Sequence, residues 1–182
     1  MRIISGKFGG RRINPPAKMP HTRPTTDIAK EGLFNILQNR IDFEDTRTLD
    51  LFGGTGSISY EFASRGAADL TIVEKDPIMH TFIKKNIDML QIENCKVLKI
   101  EVFQFLSAAS GQYDLIFAGP PYALGEIDEI PKIIVAKKLI APGGFFILEH
   151  TPRNNYETFE GFSFARGYGT TIFSFFVNTN AE

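Results

Sequence analysis

From Arg47 onward the chain alternates short apolar segments with amphipathic stretches of roughly ten residues. The apolar segments span residues 48–52, 70–73, 96–98, 113–118 and 145–148, and helical spacing lies between them near residues 57–64, 77–90, 102–108 and 126–136. Strands that alternate with helices along a chain form parallel sheets with right-handed crossovers. The alternation therefore predicts an α/β fold with a twisted, mainly parallel, doubly wound sheet.

The tail after His150 has a different pattern. Two strand-like runs, at residues 162–165 and 171–177, flank Gly167-Tyr168-Gly169 with no helical stretch between them. Such a pair predicts an antiparallel C-terminal hairpin that closes the sheet, giving about seven strands in all.

The first forty residues are expected to lie outside the sheet. Residues 2–13 alternate apolar and basic side chains around glycines and predict a small hairpin. Thr25-Thr26-Asp27 supplies a cap for a helix over residues 27–38. We expect a single domain over residues 1–182, with residues 1–25 as a basic N-terminal extension.

Charge separates this extension from the rest of the chain. Residues 1–40 carry eight basic and two acidic side chains, a net charge of +6, whereas the whole chain has a net charge of −1. A basic segment on an otherwise acidic body is typical of a protein that meets phosphate with one surface. A solvated basic face without a partner would explain the charge equally well.

The number of cysteines, the spacing of the histidines and the length of the apolar runs exclude several classes of site. Cys95 is the single cysteine, so an intramolecular disulfide and a multi-cysteine zinc site are excluded. His21, His80 and His150 lack ligand spacing, and no metal is expected. No apolar run reaches the roughly 18 residues of a membrane span, and the first residues lack a signal-peptide core. We therefore expect a cytoplasmic protein without a membrane partner.

A glycine-rich turn follows the first predicted strand. Asp50-Leu51-Phe52-Gly53-Gly54-Thr55-Gly56 ends that strand and opens a helix, and its glycines allow the backbone to approach a ligand. Glu74 lies eighteen residues beyond Gly56, at the end of the next strand, where a carboxylate can accept hydrogen bonds from both ribose hydroxyls. These residues predict a pocket for an adenine nucleoside at the carboxyl edge of the sheet.

The turn does not match a dinucleotide-binding fingerprint, because Gly54-Thr55-Gly56-Ser57-Ile58-Ser59 has no third glycine. Asp50 at the head of the turn also suits a cation better than a pyrophosphate. S-adenosylmethionine carries a sulfonium and an ammonium and no phosphate, so it is the predicted cofactor. A tight strand-to-helix connection without a ligand is the alternative.

A second motif, Ala118-Gly119-Pro120-Pro121-Tyr122, follows the strand expected beside the first. Two prolines fix the backbone and direct a carbonyl oxygen into the crevice. A flipped-out base would stack on Tyr122 while its exocyclic amine donates to the Pro120 carbonyl oxygen, and such stacking is worth roughly 1–3 kcal/mol. A proline-stiffened turn over a packed tyrosine is the alternative.

Both motifs resemble those of amino-group methyltransferases that use S-adenosylmethionine. More specifically, the chain is similar to the bacterial family that methylates guanine N2 in a hairpin loop of 16S ribosomal RNA. Further matches extend over nearly the whole chain: Arg23-Pro24-Thr25 with Asp27, Glu31 and Leu33-Phe34-Asn35; Ser64-Arg65-Gly66-Ala67; Val73-Glu74; and Arg166-Gly167-Tyr168-Gly169 with Thr171. The resemblance implies a Rossmann-like methyltransferase fold.

The resemblance also implies a role for each matching residue. The cofactor would contact Asp50, Phe52, Gly53, Gly54, Gly56, Glu74, Lys75, Glu101 and Val102, with Glu74 at the ribose and Glu101 at the adenine. The catalytic turn that holds the target base would be Gly119, Pro120, Pro121 and Tyr122. The residues that face RNA would be Arg2, Lys7, Arg11, Arg12, Arg23 and Thr25. The implied partner is 16S ribosomal RNA in an assembling small subunit, and a monomer is favoured.

The most consequential departure from the family lies in the Pro-Pro-Tyr turn. The family usually has Asp at the head of its Pro-Pro-Tyr turn, where this chain has Gly119. The guanine N2 lone pair is delocalised into the ring, and two acceptors on its hydrogens help to pyramidalise the nitrogen, so losing one lowers the rate on the order of 10²–10³-fold. Two interpretations remain open: an enzyme in which water or another side chain replaces the carboxylate, or a protein that binds cofactor and RNA without turnover.

The expected reaction is methyl transfer from S-adenosylmethionine to the N2 amine of a guanine in small-subunit ribosomal RNA. An adenine-N6 DNA methyltransferase shares the Pro-Pro-Tyr motif and is the second enzyme hypothesis. A nicotinamide dehydrogenase is disfavoured because the dinucleotide fingerprint is incomplete.

Overall fold

Within residues 1–19 and 24–179, which the computed structural model describes, the chain forms seven strands and five α-helices. The strands are β1 (Arg47–Asp50), β2 (Asp69–Val73), β3 (Cys95–Leu98), β4 (Tyr113–Ala118), β5 (Ile140–His150), β6 (Phe162–Tyr168) and β7 (Thr171–Phe176). The helices are α1 (Asp27–Gln38), α2 (Ser57–Ser64), α3 (Pro77–Met89), α4 (Val102–Ala108) and α5 (Glu129–Ala136).

All seven strands belong to one sheet in the order β3-β2-β1-β4-β5-β7-β6. Strands β1 to β5 are parallel, whereas β7 is antiparallel to both β5 and β6. The predicted α/β sheet and its antiparallel C-terminal hairpin are therefore confirmed. The order reverses at β1, because the chain first runs outward to β3 and then returns to place β4 on the other side of β1.

Side chains that alternate along the central strands fill two separate cores. On one face Ile116 and Phe146 pack with Ile130 of α5. On the other face Phe117 and Ile147 pack with apolar residues of α1 and α2. Burial on both faces explains the nearly continuous apolar runs in the sequence.

The predicted N-terminal hairpin is present in a minimal form, with a single bridge between Arg2 and Arg12. Its apolar side chains Ile3, Phe8 and Ile13 are buried against residues of α2 and α3. The basic side chains Arg2, Lys7, Arg11 and Arg12 are exposed. The hairpin therefore packs its apolar face on the body of the protein and presents its charge to solvent.

Lys30, one of the eight basic residues among the first forty, does not lie at the surface. It is fully buried, and its ammonium lies 3.6 Å from the Glu61 carboxylate and donates to the Arg2 carbonyl oxygen at 2.7 Å. Burial lowers the pKa of Lys30, and the Glu61 charge opposes that shift. The surface charge of the first forty residues is accordingly smaller than their sequence total of +6.

Glu61 holds the hairpin to α2. Its two carboxylate oxygens accept from the backbone N–H groups of Ile4, at 2.8 Å, and Ser5, at 3.1 Å. The Arg65 guanidinium donates to the same carboxylate at 3.0 Å. A single buried carboxylate thus links the extension, Lys30 and the end of α2.

Several boundaries differ from the sequence expectation. Strand β1 ends at Asp50 because the Asp50 carboxylate accepts from the Phe52 N–H and turns the chain. Strand β5 begins at Ile140, five residues before the predicted start at residue 145. A bulge opposite β4 accommodates Pro142, Gly143 and Gly144 within the strand. Helix α5 begins at Glu129, whereas the predicted helix starts near residue 126. The turn of the C-terminal hairpin is shorter than predicted because β6 extends to Tyr168, beyond the predicted end at residue 165.

Replacing Glu61 with Gln should destabilise the fold strongly. The substitution keeps the shape of the side chain but leaves the Lys30 ammonium buried without its counter-charge, a change that typically costs about 3–5 kcal/mol. Urea denaturation would measure the difference in the free energy of unfolding. The control is Glu129→Gln, which removes an exposed ion pair with Lys132 and should cost less than about 1 kcal/mol. Equal effects of the two variants would contradict the structural role of Glu61.

Candidate active site

The carboxyl ends of four parallel strands meet at the edge of the sheet where the strand order reverses. Asp50 ends β1 and pairs in register with Phe117 of β4, and Ala118 pairs with Leu148 of β5. A crevice of about 780 Å³, measured out to open solvent, lies along this edge. Its lining comprises Pro24, Thr25, Thr26, Asp50, Phe52, Gly53, Gly54, Thr55, Ser57, Ile58, Glu74, Phe117, Gly119, Pro120, Pro121, Tyr122, Glu149 and Thr171. Both sequence motifs therefore face one cavity.

The glycine-rich turn between β1 and α2 is tightly closed. The Gly53 N–H donates to the Val73 carbonyl oxygen, and the Gly56 N–H donates to that of Gly53, both at 2.8 Å. Gly56 has a φ of +83°, and a Cβ there would overlap the Tyr60 ring. Glycine at position 56 is thus required both by the backbone conformation and by the packing beneath it.

Glu74 is oriented by the turn on one side and by the start of α3 on the other. One carboxylate oxygen accepts from the Gly54 N–H at 2.7 Å and the other from the Asp76 N–H at 2.9 Å. An ionised carboxylate has about four acceptor sites, so each oxygen retains capacity for a hydroxyl donor. This geometry fits the predicted ribose contact.

Asp50 is buried at the floor of the crevice, with 2% of its surface exposed. Its carboxylate accepts from the Ser59 hydroxyl at 2.8 Å and from the Phe52 N–H. Burial raises the pKa of Asp50 to about 7, and the nearby charges of Glu74 and Glu149 act in the same direction. A bound cation would offset this unfavourable burial of negative charge.

The Pro-Pro-Tyr turn forms the neighbouring wall. The Leu124 N–H donates to the Pro121 carbonyl oxygen at 3.0 Å and closes a turn around Tyr122. Tyr122 is 44% exposed at the rim. Its ring therefore lies where a planar ligand that enters the cavity would meet it.

Glu149 is a charged crevice residue that the sequence analysis missed. It lies at the carboxyl end of β5, is 8% exposed and accepts from the Thr25 hydroxyl at 3.0 Å. The signal was present, because Glu149 follows the apolar run 145–148 as Glu74 follows the run 70–73. Sequence reasoning also did not single out Ser59, whose hydroxyl orients Asp50.

Not every predicted site residue lines the crevice. Glu101 caps α4, where its carboxylate accepts from the Phe103 and Gln104 N–H groups, and Val102 is buried in the first turn of that helix. Gly56, Lys75, Glu101 and Val102 are outside the crevice lining. Their contacts with a cofactor remain predictions.

The predicted RNA-facing residues occupy different places. Thr25 forms part of the crevice wall and contacts Glu149. The four basic side chains of the hairpin are exposed, and the cationic groups of Lys7 and Arg11 lie 5.4 Å and 5.5 Å from the centroid of the Phe8 ring. Arg23 and His21 lie outside the described residues.

Histidine and cysteine side chains form internal contacts. His150 is buried and bonds to the Ser174 hydroxyl at 2.7 Å, and burial lowers its pKa. His80 bonds to the Val97 carbonyl oxygen, and burial raises the pKa of Cys95 to about 12. Across the described part of the chain no group of three or more potential metal ligands occurs. None of the helices in that part has the length and apolarity to span a bilayer.

Known proteins are similar in sequence to this chain over most of its length. A family model described as "Conserved hypothetical protein 95" matches residues 1–177. "Ribosomal RNA small subunit methyltransferase D" of Escherichia coli (strain K12) is 31% identical over 158 residues, which cover 87% of this chain and 78% of that protein. "Putative rRNA methyltransferase YlbH" of Bacillus subtilis is 32% identical over 154 residues, which cover 82% of each chain.

Solved structures share the fold. "Putative methyltransferase yhhF from Escherichia coli" matches with a TM-score of 0.84 and 27% identity, over 100% of this chain and 99% of that one. A Thermus thermophilus 16S rRNA N2 G1207 methyltransferase, RsmC, in complex with AdoMet and guanosine matches with a TM-score of 0.67 and 24% identity, over 85% of this chain and 44% of that one. The expected Rossmann-like methyltransferase fold is confirmed.

Asp50 should make stability depend on pH. Its carboxyl group ionises near 7 in the folded protein and near its ordinary value of 3.8 in the unfolded chain. The folded state therefore binds more protons between these values, and the free energy of unfolding falls as the pH rises through them. Between pH 5 and pH 8, the free energy of unfolding of the wild-type protein should fall by about 3 kcal/mol relative to that of Asp50→Asn.

Urea titrations of both proteins at several pH values would measure this difference. Using the variant as reference cancels the titration of every other group that the substitution leaves unchanged. A difference that stays constant from pH 5 to pH 8 would show that Asp50 ionises normally in the folded protein.

Proposed function

The chain belongs to the family described as "Conserved hypothetical protein 95", and we propose that it transfers a methyl group from S-adenosylmethionine to the N2 amine of a guanine in 16S ribosomal RNA. Two relatives carry names that specify ribosomal RNA methylation, one of them on the small subunit. The guanine target is favoured by the motif resemblance, and a structural relative bears a name that specifies 16S rRNA N2 methylation.

The observation that carries the proposal is the shared crevice. The glycine-rich turn with Asp50 and Glu74 forms one part of its lining, and Pro120, Pro121 and Tyr122 form another. A methyl donor and an acceptor base held by these two parts would be close enough to react directly. Direct transfer needs alignment more than it needs a covalent nucleophile.

The residues of the first part fit S-adenosylmethionine. Glu74 presents two oriented oxygens to a ribose. Asp50 places a carboxyl group with an elevated pKa at the crevice floor, where a cationic group would stabilise its ionised form. Gly54 has a φ of +57° and no Cβ, which lets the turn approach the ligand closely. When bound, the cofactor supplies an electrophilic methyl group on a sulfonium.

The residues of the second part fit a planar base. Tyr122 would stack on the ring, and the prolines would hold the backbone carbonyl of Pro120 toward the exocyclic amine. The chain aligns the amine lone pair with the methyl carbon and limits water in the crevice. The carbon is inverted, and the amine proton passes to solvent after transfer.

The exposed basic side chains of the hairpin would contact the RNA backbone. Arg2, Lys7, Arg11 and Arg12 all point to solvent from one small element. Met1 in the same element accepts a hydrogen bond from Thr55 of the cofactor turn. The proposed RNA surface therefore begins directly beside the crevice.

Incubation of the protein with labelled S-adenosylmethionine and unmodified small ribosomal subunits should incorporate about one methyl group per subunit. Nucleoside analysis should identify the product as N2-methylguanine. Tyr122→Ala should lower kcat/KM about 10- to 100-fold through lost stacking, whereas Tyr122→Phe, which keeps the ring, should remain close to wild type. N6-methyladenine as product would overturn the guanine assignment, and absent incorporation would favour a non-catalytic RNA-binding protein.

Reversing two charges in the hairpin should weaken RNA binding. The double variant Arg11→Glu, Arg12→Glu should lower RNA affinity and reduce the slope of log affinity against log salt, by about one for each lost phosphate contact. S-adenosylhomocysteine affinity should be unchanged. The matched control reverses Lys84 and Lys85, which are exposed on α3, and should change RNA affinity less. Equal loss of RNA and cofactor binding would mean that the hairpin has only a structural role.

A further inference from the structure

Gly119 and Glu149 lie side by side at the crevice edge. Ala118 and Leu148 pair in parallel register between β4 and β5, and each is followed by one of these two residues. A Cβ on Gly119 would lie 2.9 Å from the Oε2 atom of Glu149 and 3.1 Å from the Phe117 ring. The Glu149 carboxylate thus borders the space that a side chain at position 119 would enter.

The Glu149 carboxylate is held in this place from more than one side. Its Oε1 atom accepts from the Thr25 hydroxyl in the segment before α1, at 3.0 Å. Its backbone lies in the sheet, paired with Phe173 of β7. At 8% exposure it has little contact with solvent, and an acceptor in such surroundings interacts more strongly than one in water. The position of Oε2 is therefore set before a substrate enters.

The proposed reaction needs an acceptor at this point. A guanine amine has two hydrogens, and hydrogen bonds to both favour a pyramidal nitrogen with its lone pair aimed at the methyl carbon. The Pro120 carbonyl oxygen would accept one of them. The Gly119 side of the turn offers no side chain for the other, whereas the Glu149 carboxylate lines the same crevice.

Given the function proposed above, we propose that Glu149 is a catalytic residue, the acceptor for the second hydrogen of the target amine. During transfer the bond between N2 and the methyl carbon forms while the carbon–sulfur bond breaks, and its electron pair remains on sulfur. The positively charged nitrogen then releases one proton to the Glu149 carboxylate, which passes it to solvent. Of the two interpretations that Gly119 leaves open, this selects an active enzyme with the carboxylate supplied from β5.

The first test is the kinetics of Glu149→Gln. Glutamine keeps the length of the side chain and can still accept from Thr25, but it lacks the charge. We expect kcat on small subunits to fall on the order of 10²–10³-fold, with the KM for subunits and the affinity for S-adenosylhomocysteine within about threefold of wild type. The matched control is Glu126→Gln, which changes an exposed carboxylate outside the crevice lining and should leave kcat unchanged.

The second test moves the carboxylate from one strand to its neighbour. Glu149→Ala should be as slow as the glutamine variant, and it removes the nearer of the two groups that restrict position 119, the other being the Phe117 ring. Adding Gly119→Asp to Glu149→Ala should then restore kcat at least tenfold, since Gly119 has no positive φ to strain the new side chain. A purely structural role of Glu149 does not predict this rescue, and the pair remains informative if the glutamine variant is unstable.

The outcomes separate this inference from the function on which it rests. An inactive wild-type protein on unmodified subunits overturns the proposed function and the role of Glu149 with it. An active wild type with a glutamine variant within about threefold of its kcat overturns the role of Glu149 alone. Loss of kcat that is matched by loss of S-adenosylhomocysteine affinity, without rescue, also overturns it, because the carboxylate would then support the cofactor site.

Discussion

The reversal of strand order at β1 is the constraint on which the crevice depends. Connections from β1 lead away toward β2 and β3, while the later chain builds β4 and β5 on the opposite side. Connections that leave a sheet in opposite directions open a crevice at the carboxyl ends of its strands. Asp50, Glu74, Gly119 and Glu149 reach this place because each stands within one residue of the end of its own strand. A one-residue shift between β4 and β5 would turn Glu149 to the other face of the sheet.

The crevice concentrates negative charge, whereas the exposed hairpin concentrates positive charge. Asp50, Glu74 and Glu149 line one cavity, and each of their carboxylates accepts at least one hydrogen bond from the protein. These hydrogen bonds only partly offset the cost of burial at Asp50, as its elevated pKa shows. Such a cavity favours a cationic ligand and disfavours phosphate. Under the proposed function, the outer basic surface contacts the RNA backbone, and the target base enters the crevice without its phosphates.

The features that could be predicted from the sequence are those that local residue patterns determine. Apolar periodicity located the strands, and Thr26 capped α1 where expected. The burial of Lys30 was missed because its partner Glu61 lies on another helix, and no local pattern distinguishes a buried lysine from an exposed one. The sequence did not predict that the Glu101 carboxylate caps α4, and the contact of Glu101 with the cofactor stays a prediction. The proximity of Glu149 to Gly119 was beyond local patterns because it depends on the register between β4 and β5.

The register between β4 and β5 determines how the missing side chain at Gly119 affects the crevice. When the motif is compared position by position with that of the family, Gly119 counts as the loss of a carboxylate. In a parallel sheet, however, the ends of neighbouring strands lie about 5 Å apart, a distance that a glutamate side chain can cross. A carboxylate on β5 can therefore occupy nearly the same point as one on β4, provided that the residue on β4 is small enough. Gly119 meets that condition, and Thr25 holds the Glu149 side chain in the required direction. In the proposed reaction, the target amine has its second acceptor when a carboxylate lies at the crevice edge, whichever of the two strands carries it.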